Sequence, residues 1–265
     1  MALPRIHTPS GLSMTVVSPQ RATRPPVLFL HGIFAGAWCF EHWQRRFAHA
    51  GHPTFALDLR GRDGSRPVHD IGRVRLGDYV DDAIEAARTL GGPIVVGHSM
   101  GGLLAQAVAA NCTVNATVLI CSAPPRGISL ATPRLVLKQI RHLPAMLASA
   151  ALHGSRAEHD ELTLHLMHHD EADAAFARFI PDSGRVGRDI SIGAVAVDSS
   201  RIAAPMLVVT ATEDRFVAPR IGRQLAQKYG AELREYAGHA HFIIAEPGWE
   251  RVADDVLLWL AGASR

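Results

Sequence analysis

Residues 93–103 read Pro93-Ile94-Val95-Val96-Gly97-His98-Ser99-Met100-Gly101-Gly102-Leu103. The apolar run at the front predicts a short buried strand, and the stretch from Met100 to Asn111 has the pattern of a helix. Between them lies Gly-x-Ser-x-Gly, a sharp strand-to-helix turn that holds its serine in a strained backbone conformation. The residues two before and two after must be small. Gly97 and Gly101 meet that demand, because a Cβ at either would push strand and helix apart. The hydroxyl is left exposed at the amino end of a helix, whose dipole favours the oxyanion formed when it attacks an acyl carbonyl. A plain glycine turn is the competing reading, and the strand–turn–helix setting argues against it. Ser99 is therefore the expected nucleophile.

Outward from this turn, short apolar runs over 26–30, 54–59, 93–96, 116–121, 206–210 and 232–236 alternate with longer helical patterns. The helices are expected over 41–50, 76–90, 100–111, 219–229 and 249–260. That alternation is the signature of a mostly parallel sheet covered by helices, an α/β fold. The run 12–17 reads as an added antiparallel strand. The rhythm breaks between about 125 and 204, where two helices, 133–152 and 158–179, are expected with no strand between them. The expected organisation is a core of 1–125 and 200–265, with 126–199 a helical cap and return helix inserted after the strand over 116–121. An insertion there sits above the carboxyl ends of the strands, where open α/β sheets bind ligands. A packing module with no part in the site is the alternative.

Composition narrows the function classes. The 265 residues are 48% hydrophobic and 20% charged, enough for a core of ordinary size. The formal charge of +2, from 27 basic and 25 acidic residues, gives no reason to expect nucleic acid. No stretch reads as a membrane span, and the first residues lack the pattern of a signal peptide. Cys39, Cys112 and Cys121 are an odd set without metal-ligand spacing, so structural thiols in a reducing, cytoplasmic setting are expected.

An acyl-transfer site also needs oxyanion donors, an acid and a base. Met100, just after the nucleophile, supplies one backbone N–H on the usual plan, and Ile33 in His31-Gly32-Ile33-Phe34 is the candidate for the other. His31 reads as a buried brace for that loop. The acid should follow the serine in sequence and sit at a strand end. Asp214, after the run 206–210, fits, with Glu213 as its alternative. The base lies after the last strand in Gly238-His239-Ala240-His241-Phe242, where His241 is preferred to His239. Phe34, Trp38, Met146 and Met167 are candidates for an apolar acyl pocket, and each could equally be core. His165, His168, His169 and Asp170 offer histidines four apart that could hold a metal, though such a pair more often marks a solvated face.

The chain resembles the α/β-hydrolase superfamily along nearly its whole length. More narrowly, His31-Gly32-x-x-x-Gly36-Ala37-Trp38-Cys39-Phe40, Gly51-His52 and Ala56-Leu57-Asp58-Leu59 look like the plant methylesterase and hydroxynitrile lyase branch. The resemblance implies an eight-stranded sheet with an antiparallel second strand, a helical cap and no cofactor. It also supports Ser99, Asp214 and His241 by position. The lyases carry a threonine where Gly32 stands and a lysine where Phe242 stands, so the lyase reaction is a poor fit. The expected function is a serine esterase acting on a small-molecule ester through an acyl-enzyme. A lactonase, a thioesterase or amidase, and a carbon–carbon bond hydrolase would use the same triad. A ligand sensor on the same fold is the alternative outside enzymes.

Overall fold

Val27, Leu28, Phe29 and Leu30 are all buried, as happens only in a strand covered on both faces. In the computed structural model, which describes residues 3–263, that strand lies at the centre of an eight-stranded sheet. The elements up to the turn at Ser99 are β1 (Arg5–His7), β2 (Ser13–Val17), β3 (Val27–Leu30), α1 (Glu41–His49), β4 (Thr54–Asp58), α2 (Leu76–Leu90) and β5 (Ile94–His98). Next come α3 (Met100–Asn111) and β6 (Ala116–Ile120), and then an insertion. It holds α4 (Pro133–Gln139), α5 (Leu143–Ala148), β7 (Ala151–Leu152), α6 (Arg156–Leu162), α7 (His169–Phe176), β8 (Asp182–Ser183) and α8 (Gly184–Ser191). The chain returns to the sheet through β9 (Met206–Ala211), α9 (Pro219–Tyr229), β10 (Glu232–Tyr236) and α10 (Trp249–Ala263).

The strand order is β1-β2-β4-β3-β5-β6-β9-β10, with β2 antiparallel to both of its neighbours and the strands from β4 to β10 parallel. Alternation along the strands divides the core in two. Leu28, Leu30, Val95, Leu119 and Val208 pack with α2, α3 and α9, while Val27, Phe29, Val96, Val118 and Val209 pack with α1 and α10. In α10, Val252, Val256 and Leu260 form the buried face. Among the described residues no helix is long and apolar enough to cross a membrane.

Two expectations need correction. The sequence pattern missed β1, a three-residue exposed edge strand too short to show alternation. It also read two long helices in the insertion with no strand between, and the structure breaks them. Pro144 starts a fresh helix in the first turn of α5, since it has no N–H to continue the previous one. Ser149 ends α5 in the left-handed region at φ 53°. Residues 151–152 then pair antiparallel with β8, and a Ser155–Glu158 capping box opens α6. The Ser183 hydroxyl accepts from the N–H groups of Arg185 and Val186, and so starts α8.

Candidate active site

Ser99 has φ 56° and ψ −121°, a region that non-glycine residues rarely adopt. The neighbouring backbones enforce it. The Ser99 N–H donates to the Ile120 carbonyl at 3.0 Å, and the Ser99 carbonyl accepts from Gly102 and Ala123, each at 2.9 Å. A Cβ on Gly97 would strike the backbone of Gly101, and one on Gly101 would strike the Leu30 carbonyl. Both glycines are therefore dictated by strand–helix contact.

The ends of β9 and β10 bring two more side chains to the serine. The Asp214 carboxylate accepts from the Phe216 and Val217 N–H groups through Oδ1, both at 2.8 Å, which leaves Oδ2 free for His241. His241 Nδ1 lies 2.8 Å from that oxygen, and its Nε2 lies 3.0 Å from Ser99 Oγ. All three residues are buried, at 3–5% exposure. Glu213 is exposed. His239 turns to Glu246, 3.5 Å away, and its carbonyl accepts from the Glu213 N–H at 2.9 Å. Glu246 also accepts from the Ala240 N–H at 2.8 Å, so it braces the loop beside His241.

His31 and His98 frame this group without joining it. Burial lowers both to a pKa of about 3, with the Arg62 charge adding to it for His31 and the neighbouring His241 ring for His98. Neutral His31 accepts from the Leu59 N–H on Nε2, so Nδ1 donates to the Gly32 carbonyl at 2.8 Å. Neutral His98 donates through Nε2 to the His241 carbonyl at 2.7 Å, which fixes the backbone of that loop. Cys121 was not expected here. Its Sγ, an Asp214 oxygen and a His241 nitrogen lie within 4.8 Å of one another. Burial and the Asp214 charge push the thiol well up, so it stays protonated. A metal would require the thiolate and would have to break the Asp214–His241 hydrogen bond, so the donor set does not fit one. His165 lies in a turn before α7 and His169 is the first residue of that helix, so the pair does not share a helical face.

Met100 is the first residue of α3, where N–H groups have no intrahelical acceptor. Ile33 follows Gly32, and a Cβ on Gly32 would come within 3.0 Å of Ser99 Cβ, so this loop runs directly against Ser99. Phe34 next to it is held at φ 67°. Its N–H donates to Asp182 at 3.0 Å, and its carbonyl accepts from Ile180 at 3.0 Å. Asp182, from the insertion, also accepts from Arg62 and from the Tyr79 hydroxyl at 2.9 Å.

Above Ser99 is a cavity of about 110 Å³, walled by the insertion with Leu130, Leu135, Met146, Leu152, Leu162 and Ile190, and floored by Gly32, Ile33, Met100 and His241. Phe34 and Met146 line it; Trp38 and Met167 do not. Those two face a separate, more open hollow beside Trp249. Trp38 is held there by the Arg178 guanidinium, 4.6 Å from its ring, and by Phe179 at 5.7 Å.

The chain belongs to the alpha/beta hydrolase family, whose family model matches residues 27–255. A monoacylglycerol lipase of Mycolicibacterium smegmatis is 28% identical over 270 residues, covering 92% of this chain and 91% of the relative. Methylesterase 7 of Arabidopsis thaliana is 34% identical over 86 residues, which are 31% of this chain and 33% of that one. Among solved structures, the monoacylglycerol lipase of Paleococcus ferrophilus superimposes with a TM-score of 0.75 at 20% identity, covering 96% of this chain and 99% of the other, a likeness of fold. The relatives are lipases and esterases by name, and the chain is a hydrolase of their family.

Proposed function

We propose that the protein hydrolyses carboxylic esters through an acyl-enzyme formed on Ser99. The observation that carries the proposal is the unbroken hydrogen-bond chain from Ser99 Oγ through His241 to Asp214, with spacings of 3.0 and 2.8 Å. Ser99 Oγ attacks the ester carbonyl while His241 Nε2 takes its proton. Asp214 holds the imidazole by Nδ1 and stabilises the imidazolium. The N–H groups of Met100 and Ile33 receive the oxyanion. His241 then protonates the departing alcohol, and a water activated by the same nitrogen releases the acid.

The apolar walls of the cavity favour an apolar acyl chain. At about 110 Å³ the cavity is of the order of the ~150 Å³ engineered cavity that holds benzene, so a chain of about six carbons is the natural occupant. The apolar walls that the insertion supplies then set acyl length. A lactone or thioester would meet the same groups, and a ligand sensor would stall after one turnover. The test is a graded series of activated esters and lactones, with fluorophosphonate labelling and Ser99→Ala as control. Repeated turnover and labelling that vanish together in Ser99→Ala are expected. Retained covalent labelling in Ser99→Ala would remove Ser99 as nucleophile.

A further inference from the structure

Besides His98, whose Nε2 is committed to the His241 carbonyl, the cavity wall holds a buried imidazole that the ester-cleaving chemistry does not use. His159, on α6, lies in its wall at 7% exposure. Its ring stacks on Phe179 with centroids 4.6 Å apart and meets the edge of Phe34 at 5.5 Å and the ring of Phe176 at 5.6 Å. Those aromatic contacts fix the plane of the ring. Phe34 adjoins Ile33, and the His241 ring is near enough to act on His159 electrostatically, so the imidazole lies toward the Ser99 end of the cavity.

One ring nitrogen is occupied and the other is not. Nδ1 is 3.1 Å from the Thr163 hydroxyl. Nε2 has no hydrogen-bond partner among the described residues, and it is not fully sealed from solvent. The closest approach to it is from Gly154, which shares the cavity wall; a Cβ built there would fall against Nε2. With no Cβ at this position, no side chain covers Nε2 on that side. Burial lowers His159 to a pKa of about 4, so the ring is neutral near pH 7.

We infer that His159 is a specificity-determining residue, and that its Nε2 selects esters bearing a hydroxyl group near the scissile carbonyl. The Thr163 hydroxyl can donate either to Nδ1 or to the His159 carbonyl, 3.2 Å away. In one arrangement Nε2 accepts a hydrogen bond; in the other it donates one. A hydroxyl group satisfies both, because it is donor and acceptor at once. In a chamber whose exposed surface is mostly apolar, a substrate without such a group leaves the nitrogen unpaired, which penalises that substrate. This inference rests on the ester-hydrolase reading of the same site.

The test uses two matched pairs of esters: ethylene glycol monohexanoate against propyl hexanoate, and methyl β-hydroxyhexanoate against methyl hexanoate. The wild type should favour the hydroxylated member of at least one pair by about tenfold in kcat/KM, the size of one net hydrogen bond. In His159→Phe that ratio should fall to near one. Gly154→Ala, whose Cβ would strike Nε2 and push the ring out of place, should lower the same ratio, and His159→Gln should restore part of it. A wild type that cleaves both members of each pair equally overturns the role of His159 alone. A His159→Phe protein that keeps the wild-type ratio does the same. A wild type that cleaves no ester overturns the hydrolase reading as well.

Discussion

Replacing Asp182 by Asn should destabilise this protein more than any exposed charge change of the same kind. The Asp182 side chain has 0% exposure and that of Arg62 has 1%, so both charges lie out of water. The carboxylate accepts from Arg62, from the Tyr79 hydroxyl at 2.9 Å, from the Phe34 N–H at 3.0 Å and from the Ser183 N–H at 2.7 Å. In Asp182→Asn the guanidinium stays buried against a neutral amide. Breaking one side of a buried pair costs about 3–5 kcal/mol, because the remaining charge is uncompensated. At roughly 2–4 °C per kcal/mol for a chain of this size, Tm should fall by roughly 6–20 °C. Glu41→Gln, which removes the exposed 2.7 Å pair with Arg45, is the control and should cost under about 1 kcal/mol. The double variant Arg62→Met/Asp182→Leu should recover the part of the loss that comes from the stranded charge, while the Tyr79, Phe34 and Ser183 donors stay unpaired. The assay is thermal and urea unfolding of all four proteins. An Asp182→Asn shift no larger than that of Glu41→Gln would refute the assignment of buried, uncompensated charge.

At the site itself, Asp214→Asn should fold and lose about 10⁴-fold in turnover, the scale reported for neutralising a triad acid, while Glu213→Gln loses far less. His241→Ala should fall to within about tenfold of Ser99→Ala, because triad members act as a unit, and His239→Ala should keep measurable turnover. Circular dichroism checks folding in each, and a dead His239→Ala beside an active His241→Ala would reassign the base. Stability should also fall in mild acid. His31 and His98, held at about 3, and His159, at about 4, are neutral when folded, whereas the unfolded chain takes up their protons below about 6.5. Their contribution is thus fully present above that pH and is lost as pH drops toward the folded values. Three such groups give a slope of about 4 kcal/mol per pH unit between about pH 6 and 4.5. Urea unfolding across that window measures it, and a flat profile would contradict the burial of these rings.

The sheet was legible because each inner strand is a short apolar run ending in turn residues, and a side chain at such an end has few places to go. That is why Ser99, Asp214 and His241 could be named from β5, β9 and β10. His159 and Asp182 carried no comparable signal. Asp182 is 120 residues from Arg62 in the chain, and His159 differs in sequence context from none of the other histidines in the insertion. Trp38 shows the limit at a single residue. Its size suits an acyl pocket, but the turn of 3₁₀ helix over Ala37–Phe40 aims it at Arg178 instead. The boundaries inside the insertion depended on Pro144 and on the Ser149 left-handed turn, and only the first of these is visible as a residue type.

The grip of Asp182 on the Phe34 N–H also bears on how this enzyme can be re-engineered. The segment between β6 and β9 looks interchangeable, since it enters and leaves the sheet at adjacent strands. Yet one of its residues sets the conformation of the loop that faces Ser99. A chimera that imports a new upper half without a carboxylate at this position would strand Arg62 and release Phe34 from its left-handed turn. Breadth of substrate and competence of the reaction centre are thus inherited together, and exchange between relatives will succeed only where residues 34, 62 and 182 travel as a set.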